Sequence, residues 1–161
     1  MSYRTLLQTA TVPLSSRTSQ RFVLETTRAP GFFDITDRVA ALVKDSGVSQ
    51  GLVLVFARHT TAAICINEHE PLLIADMEEW LAGLAPRDIS FRHDNFAIRT
   101  VNMTPNERPN GYAHCQRLFL PSSEMVPVDK GELCLGRWQR IFLVELDCPR
   151  PREVVVKVIG V

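Results

Sequence analysis

Most of what this sequence lacks removes a class of protein. It has no excess of either charge: eighteen Lys and Arg balance eighteen Asp and Glu in 161 residues, which argues against a nucleic-acid partner held by a general basic field. No stretch approaches the roughly 20 apolar residues that a membrane span needs. The N-terminus, MSYRTLLQTATVPLSSRTS, has no charged segment leading into a continuous apolar one, so no secretory leader is expected. Cysteine is sparse. Cys65, Cys115, Cys134 and Cys148 contain no C-x-x-C pair, which fits neither a zinc ribbon nor a disulfide framework. Cys65 and Cys134 lie in apolar runs, where a reduced thiol acts as a small hydrophobe. A reduced, cytoplasmic protein with no nucleic-acid and no membrane partner is the expectation. Walker A, G-x-S-x-G, G-x-G-x-x-G and H-E-x-x-H patterns are all missing, which removes P-loop NTPases, α/β-hydrolases, common dinucleotide binders and zincins.

What is present is ordinary globular composition, 45% hydrophobic and 22% charged. There is no repeat, low-complexity tract or linker, so residues 1–161 read as a single domain. A chain of this length buries about 68–70% of its unfolded surface, enough for a core without staples. Zero net charge opposes self-association only weakly.

Residues 3–12 and 19–27, separated by Pro13 and a Ser-rich patch, read as two strands of a hairpin. The segment DITDRVAALVKDSG sets Ile35, Val39, Leu42 and Val43 on one stripe, with Asp34 and Asp37 at its start and Gly47 past its end, predicting a helix. Gly51–Ala57 has the continuous apolar run of a buried strand and Ala62–Ile66 a second, leaving Arg58-His59-Thr60-Thr61 as a polar patch at a strand end. HEPLLIADMEEWLAGLAP, with Pro71 near its start and Gly83 and Pro86 near its finish, predicts a second helix. Residues 86–117 are polar and rich in turn formers, a length more often functional than idle. Their Asn110-Gly111 step marks a turn or a helix entry. The remainder is β in character and ends with Val154–Ile159, expected as an apolar edge strand. Strands outnumber helices without β-α-β repetition, so the fold class is α+β, a mostly antiparallel sheet system with two main helices.

Of four histidines, His59, His93 and His114 sit at element boundaries or in the polar stretch. Three imidazoles from distant positions could form an open zinc-type site or shuttle protons; three unrelated surface histidines is the plain alternative. Glu68, Asp76 and Asp94 could orient them or act as bases. A solvated helix face for Asp76, and N-terminal support of the following helix for Glu68, are the structural alternatives. Ser122 and Ser123 could donate to a phosphate or form a turn, Arg58 and Arg137 would suit an anionic substrate, and Trp138 could stack on a ring, though filling the core is the expectation.

Taken in order, His59-Thr60-Thr61-Ala62-Ala63-Ile64, Ile66-Asn67-Glu68, Asp76-Met77-Glu78, Phe91-Arg92-His93-Asp94, Asn110 to His114, Val126-Pro127-Val128, Lys130-Gly131, Leu135-Gly136-Arg137-Trp138-Gln139, Glu145 and Pro149-Arg150 resemble the YjbQ-like family from about residue 20 to the C-terminus. The resemblance implies a YjbQ-like α+β fold, homotrimers, and a secondary thiamine-phosphate synthase activity that joins a thiazole phosphate to a hydroxymethylpyrimidine diphosphate. It implies a pocket in which His59, His93 and His114 hold a divalent metal, zinc first. His93, His114, Glu68 and Asp76 would serve the chemistry, and Thr60, Asn67, Ser122, Ser123, Gln139 and Arg137 would receive a phosphorylated small molecule. A non-catalytic metal- or ligand-binding homotrimer is the alternative. This chain departs from the family pattern at Tyr112 (often His), Pro121 (often Gly), Arg137 (usually Thr) and Cys148 (commonly Gly).

Overall fold

A computed structural model describes residues 16–161, so the strand expected at 3–12 lies outside the described residues. The elements run β1 (Ser16–Glu25), β2 (Gly31–Asp34), α1 (Thr36–Ser46), β3 (Gln50–Ala57), β4 (Ala62–Glu68), α2 (Pro71–Leu84), α3 (Gly111–Arg117), β5 (Ser123–Asp129), β6 (Glu132–Leu133), β7 (Gln139–Glu145) and β8 (Pro151–Gly160). A single 3-10 turn, Arg92–Asp94, precedes α3. The class is α+β, with one short helix beyond the two expected.

Local chemistry explains the helix ends. α1 buries Val39 and Val43 and stops at Gly47, whose φ of 71° is left-handed and whose N–H returns to the Lys44 carbonyl. α2 starts at Pro71, where a missing N–H costs nothing. Its capping carboxylate is Glu70, not Glu68: Glu70 accepts the Leu72 and Leu73 N–H groups at 2.9 and 2.7 Å.

All pairings are antiparallel. One sheet has the order β1-β8-β3-β5-β6, the other β2-β7-β4. β8 is therefore interior, flanked by β1 and β3, which corrects its expected place at an edge. Its alternate valines, Val154, Val156 and Val158, are buried between the sheets with Val53, Val55, Ile141, Leu143 and the α1 stripe. The opposite face of the small sheet carries Phe32, Phe142, Val144 and Ala63 against Ile74 and Leu81 of α2 and Tyr112 and Ala113 of α3. β7 is covered on both faces, and this is why Ile141–Val144 reads as an unbroken apolar run.

Two core expectations are corrected. Trp138 is 59% exposed, with the Arg137 guanidinium 4.5 Å from its ring centre, because it sits in the turn before β7. Cys134, just past β6, is exposed, whereas burial pushes the Cys65 thiol up to about 12 and keeps it neutral. No helix among the described residues is long and apolar enough to cross a membrane.

Candidate functional site

Several chain ends meet on one side of the molecule. β3 ends at Ala57, opposite Val154 of β8, and β4 begins at Ala62, opposite Glu145 of β7. The polar string Arg58–Thr61, the β7–β8 connection and the start of β8 therefore converge, and the 3-10 turn, the loop after it and α3 close over them. They enclose a cavity of about 1150 Å³.

Its floor is a buried ionic network. Glu145 is 0% and Arg152 3% exposed. The Glu145 carboxylate accepts from Arg152 Nε at 2.6 Å, from the Thr26 hydroxyl at 3.0 Å and from the Asp147 N–H at 3.0 Å, while Arg152 Nη2 donates to the Thr61 hydroxyl at 3.0 Å. Such a pair persists in a core only when its remaining lone pairs and protons are matched, as they are here. Asp147 pairs with Arg150, receives Asn110 Nδ2 at 3.3 Å, and its carbonyl accepts the Tyr112 hydroxyl at 2.8 Å. Tyr112 thus fastens α3 to the β7 end.

Asp94 does the same for the 3-10 turn: its Oδ1 accepts the Asn110 and Gly111 N–H groups, each at 2.9 Å. A Cβ on Gly111 would come within 2.5 Å of Phe91 Cβ, so only glycine permits this approach. The result is that His93 and His114 face each other, ring centres 4.6 Å apart, and both line the cavity with His59 and Thr60.

Hydrogen bonding separates the three imidazoles. The Glu153 N–H donates to His59 Nε2 at 2.8 Å, so that nitrogen is an acceptor and the neutral ring carries its proton on Nδ1. Arginine has only donors, and Arg99 Nη1 lies 3.2 Å from His93 Nε2, which fixes His93 as the same tautomer. Arg99 also pairs with Glu107 and donates to the Asn102 carbonyl at 2.7 Å, so it serves the loop that walls the cavity. Both ring nitrogens of His114 are uncommitted. Burial, and then the neighbouring His93, hold His114 below the ordinary histidine value; burial, Arg152 and Arg150 do so for His59.

A tetrahedral zinc site takes imidazole lone pairs. Nε2 of His59 and of His93 already accept N–H bonds, and among the described residues no group of three or more His, Cys, Asp or Glu is arranged to hold an ion. As arranged, this donor set does not fit a three-imidazole zinc.

An anion fits better. Arg58 pairs with Glu153 at 2.9 Å, Arg152 and Arg99 pair with Glu145 and Glu107, and Arg150 pairs with Asp147 while its buried Nε has no partner; Arg92 and Arg108 line the cavity without a side-chain partner among the described residues. With the two Nδ1–H groups, the uncommitted charged and imidazole groups other than His114 are donors, the arrangement suited to phosphate oxygens.

The remaining candidates are elsewhere. Asn67, Glu68 and Gln139 occupy the far end of the small sheet, where Glu68 pairs with Gln139. Six residues of strand, about 20 Å, separate Glu68 from Ala62. Asp76 is on the exposed face of α2, Arg137 is stacked on Trp138, and Ser123 pairs with Phe56 in the large sheet. Ser122 lines a shallower groove beside the cavity. Arg108, Asp147 and Arg152 were not anticipated, and Asn110 and Arg150 entered only as parts of the family strings, with no site role; the Pro149-Arg150-Pro151-Arg152 string was the signal that could have pointed to Arg152.

The family model described as UPF0047 protein YjbQ-like matches residues 20–161. A UPF0047 protein of Methanothermobacter thermautotrophicus is 39% identical over 142 residues, covering 88% of this chain and 92% of that protein. YugU of Bacillus subtilis is 31% identical over 137 residues, covering 85% and 96%. The crystal structure of a YbjQ-like protein from Sulfolobus solfataricus superposes with a TM-score of 0.79 at 34% identity, covering 90% of this chain and 98% of that one.

Proposed function

This chain belongs to the UPF0047 YjbQ-like family, and on that premise we propose that it is an enzyme acting on a phosphorylated small molecule in the cytoplasm. The observation that carries the reading is His114, with both ring nitrogens free, facing His93 at 4.6 Å in a cavity whose other free charged and imidazole groups are donors. Neutral near pH 7, His114 accepts a proton. Arg92, Arg108 and the two Nδ1–H groups hold the anion and stabilise charge that develops on it. Four unbridged cysteines support the location.

Thiamine-phosphate formation is the specific reaction we propose to assay. A thiazole nitrogen attacks the pyrimidine methylene, the C–N bond forms, and pyrophosphate departs with the electrons of the C–O bond. The arginines would neutralise that leaving group. The substitution itself releases no proton, so His114 would act by accepting a hydrogen bond from a phosphate monoester, whose second pKa is about 6. The test is turnover of the two precursors by the parent protein and by His114→Ala, with metal content measured on both. Turnover lost only in the variant supports the reading; full turnover in His114→Ala contradicts it.

The competing proposal is a non-catalytic homotrimer binding zinc or another ligand at His59, His93 and His114. The close approach of His93 to His114 favours it; zinc would require His59 and His93 to leave their N–H donors. Binding without turnover would select it. Trimer assembly is also our proposal for the enzyme, supported by the exposed Trp80–Phe119 pair, ring centres 6.4 Å apart, and exposed Leu72 nearby on α2.

A further inference from the structure

The wall of the cavity between the 3-10 turn and α3 is built around one side chain. Its apolar residues Phe96, Ile98, Val101 and Met103 are all exposed, so burial does little to hold it. Arg99 holds it instead. Arg99 Nε donates to the Val101 carbonyl at 3.2 Å and Nη2 to the Asn102 carbonyl at 2.7 Å, across a left-handed turn at Asn102 (φ 53°). Nη1 pairs with Glu107, whose other oxygen accepts the Thr104 N–H at 3.1 Å. The same Nη1 reaches the His93 carbonyl at 3.4 Å and His93 Nε2 at 3.2 Å. Among the described residues, no other side chain of 96–108 hydrogen-bonds outside that segment.

We propose that Arg99 is a positioning residue: one guanidinium both orders the wall and selects the His93 tautomer, so that His93 offers the cavity an N–H only when the wall is in place. A neutral imidazole has one N–H and one lone pair, and the partner of one nitrogen decides the state of the other. In water the ring favours its proton on Nε2. Arg99 has donors alone, so it makes Nε2 the acceptor and sends the proton to Nδ1. Nothing else facing the ring imposes that choice. Glu107 Oε1 lies 3.9 Å from Nε2 and is taken by Arg99, and His114, across from the ring, has both nitrogens uncommitted. Without Arg99 the lone pair would move to Nδ1 and oppose an anion. Lysine cannot stand in, because an ammonium has no planar fork to span His93, Glu107 and two carbonyls. The consequence for binding rests on the proposed anion site; the tautomer does not.

Nitrogen NMR of the imidazoles at about pH 8, where an ordinary histidine is neutral, tests it on the parent and on Arg99→Lys, with His93 assigned through His93→Gln. Amide hydrogen exchange on the same proteins follows the wall. The parent should show His93 with its proton on Nδ1. Arg99→Lys should return the proton to Nε2 and remove protection at the Ile98 and Thr104 amides. Val156, in the interior strand β8, should keep its protection, and His59 should keep its proton on Nδ1. Pyrophosphate affinity, measured by calorimetry, should fall about tenfold or more in the variant. A parent with the His93 proton on Nε2 overturns the proposal, whether or not the variant folds. A wall that loosens in Arg99→Lys while His93 keeps its tautomer overturns it too, as does a shifted tautomer with unchanged pyrophosphate affinity. A parent that has the Nδ1 proton and binds no pyrophosphate overturns the anion site and leaves the tautomer assignment standing.

Discussion

The free nitrogens of one imidazole decide what this cavity can do. His114→Ala should leave melting nearly unchanged, since a polar cavity residue carries little of the fold, and should lower turnover by ~10²-fold or more. Acting as a proton acceptor, His114 must be neutral; because burial and His93 lower its pKa, the rate should stay level as pH falls through 6.5 and decline only below it. Stability behaves differently. His59 and His114 are both lowered in the folded chain, so between the folded values and the unfolded value near 6.5 the unfolded chain binds more protons. Stability therefore rises with pH across that window and is lost as pH falls through it. Chemical denaturation at pH 7.5 and below pH 6 should show the lower stability at the lower pH. Glu145→Gln is the opposite case from His114→Ala: it strands Arg152 in the core and should cost about 3–5 kcal/mol by the same measurement.

α3 is the element that makes the site; Tyr112, Gln116 and Arg117 fasten its body, and its N-terminus rests on one carboxylate. Asp94 satisfies the N–H groups of Asn110 and Gly111, so Asp94→Ala should cost about 1 kcal/mol in stability and a disproportionate share of activity, because the cap positions His114 against His93. Gly111→Ala should disturb the same junction through Phe91, at about 1–3 kcal/mol. Comparing melting with turnover for the pair would separate the positioning effect from simple unfolding. α3 also shows where sequence reading stops. The α1 helix was legible because Val39 and Val43 repeat at helical spacing and Gly47 ends it, and β7 because both its faces are covered. α3 is two turns long, too short for periodicity, and announced itself only through Asn110-Gly111. Strand pairing leaves no periodic mark, and so the interior place of β8 was missed. The burial of Arg152 and Glu145 leaves no mark in the sequence, because their partnership spans two strands. The family resemblance marked His59, His93 and His114, and also Asn67, Glu68 and Gln139, yet could not tell which end of the sheet each occupies.

At the scale of the whole molecule, the described chain has two distinct polar regions, the cavity at one end of the small sheet and the Asn67–Glu68–Gln139 cluster at the other. Between them α2 exposes Leu72 and Trp80, and Phe119 stands beside it. Three chains associating through that face would bury it, and light scattering should then give three times the 18.1 kDa of one chain; Trp80→Glu should shift the mass toward the single chain. The claim on which the rest depends is that the cavity receives an anion through Arg92 and Arg108. Calorimetric titration of pyrophosphate into the parent and into the Arg92→Ala, Arg108→Ala double variant measures this directly. Saturable binding at one site per chain, weakened about tenfold or more in the double variant, is the result predicted from the unpartnered guanidiniums. No saturable binding by the parent, or the same affinity in both proteins, would contradict it.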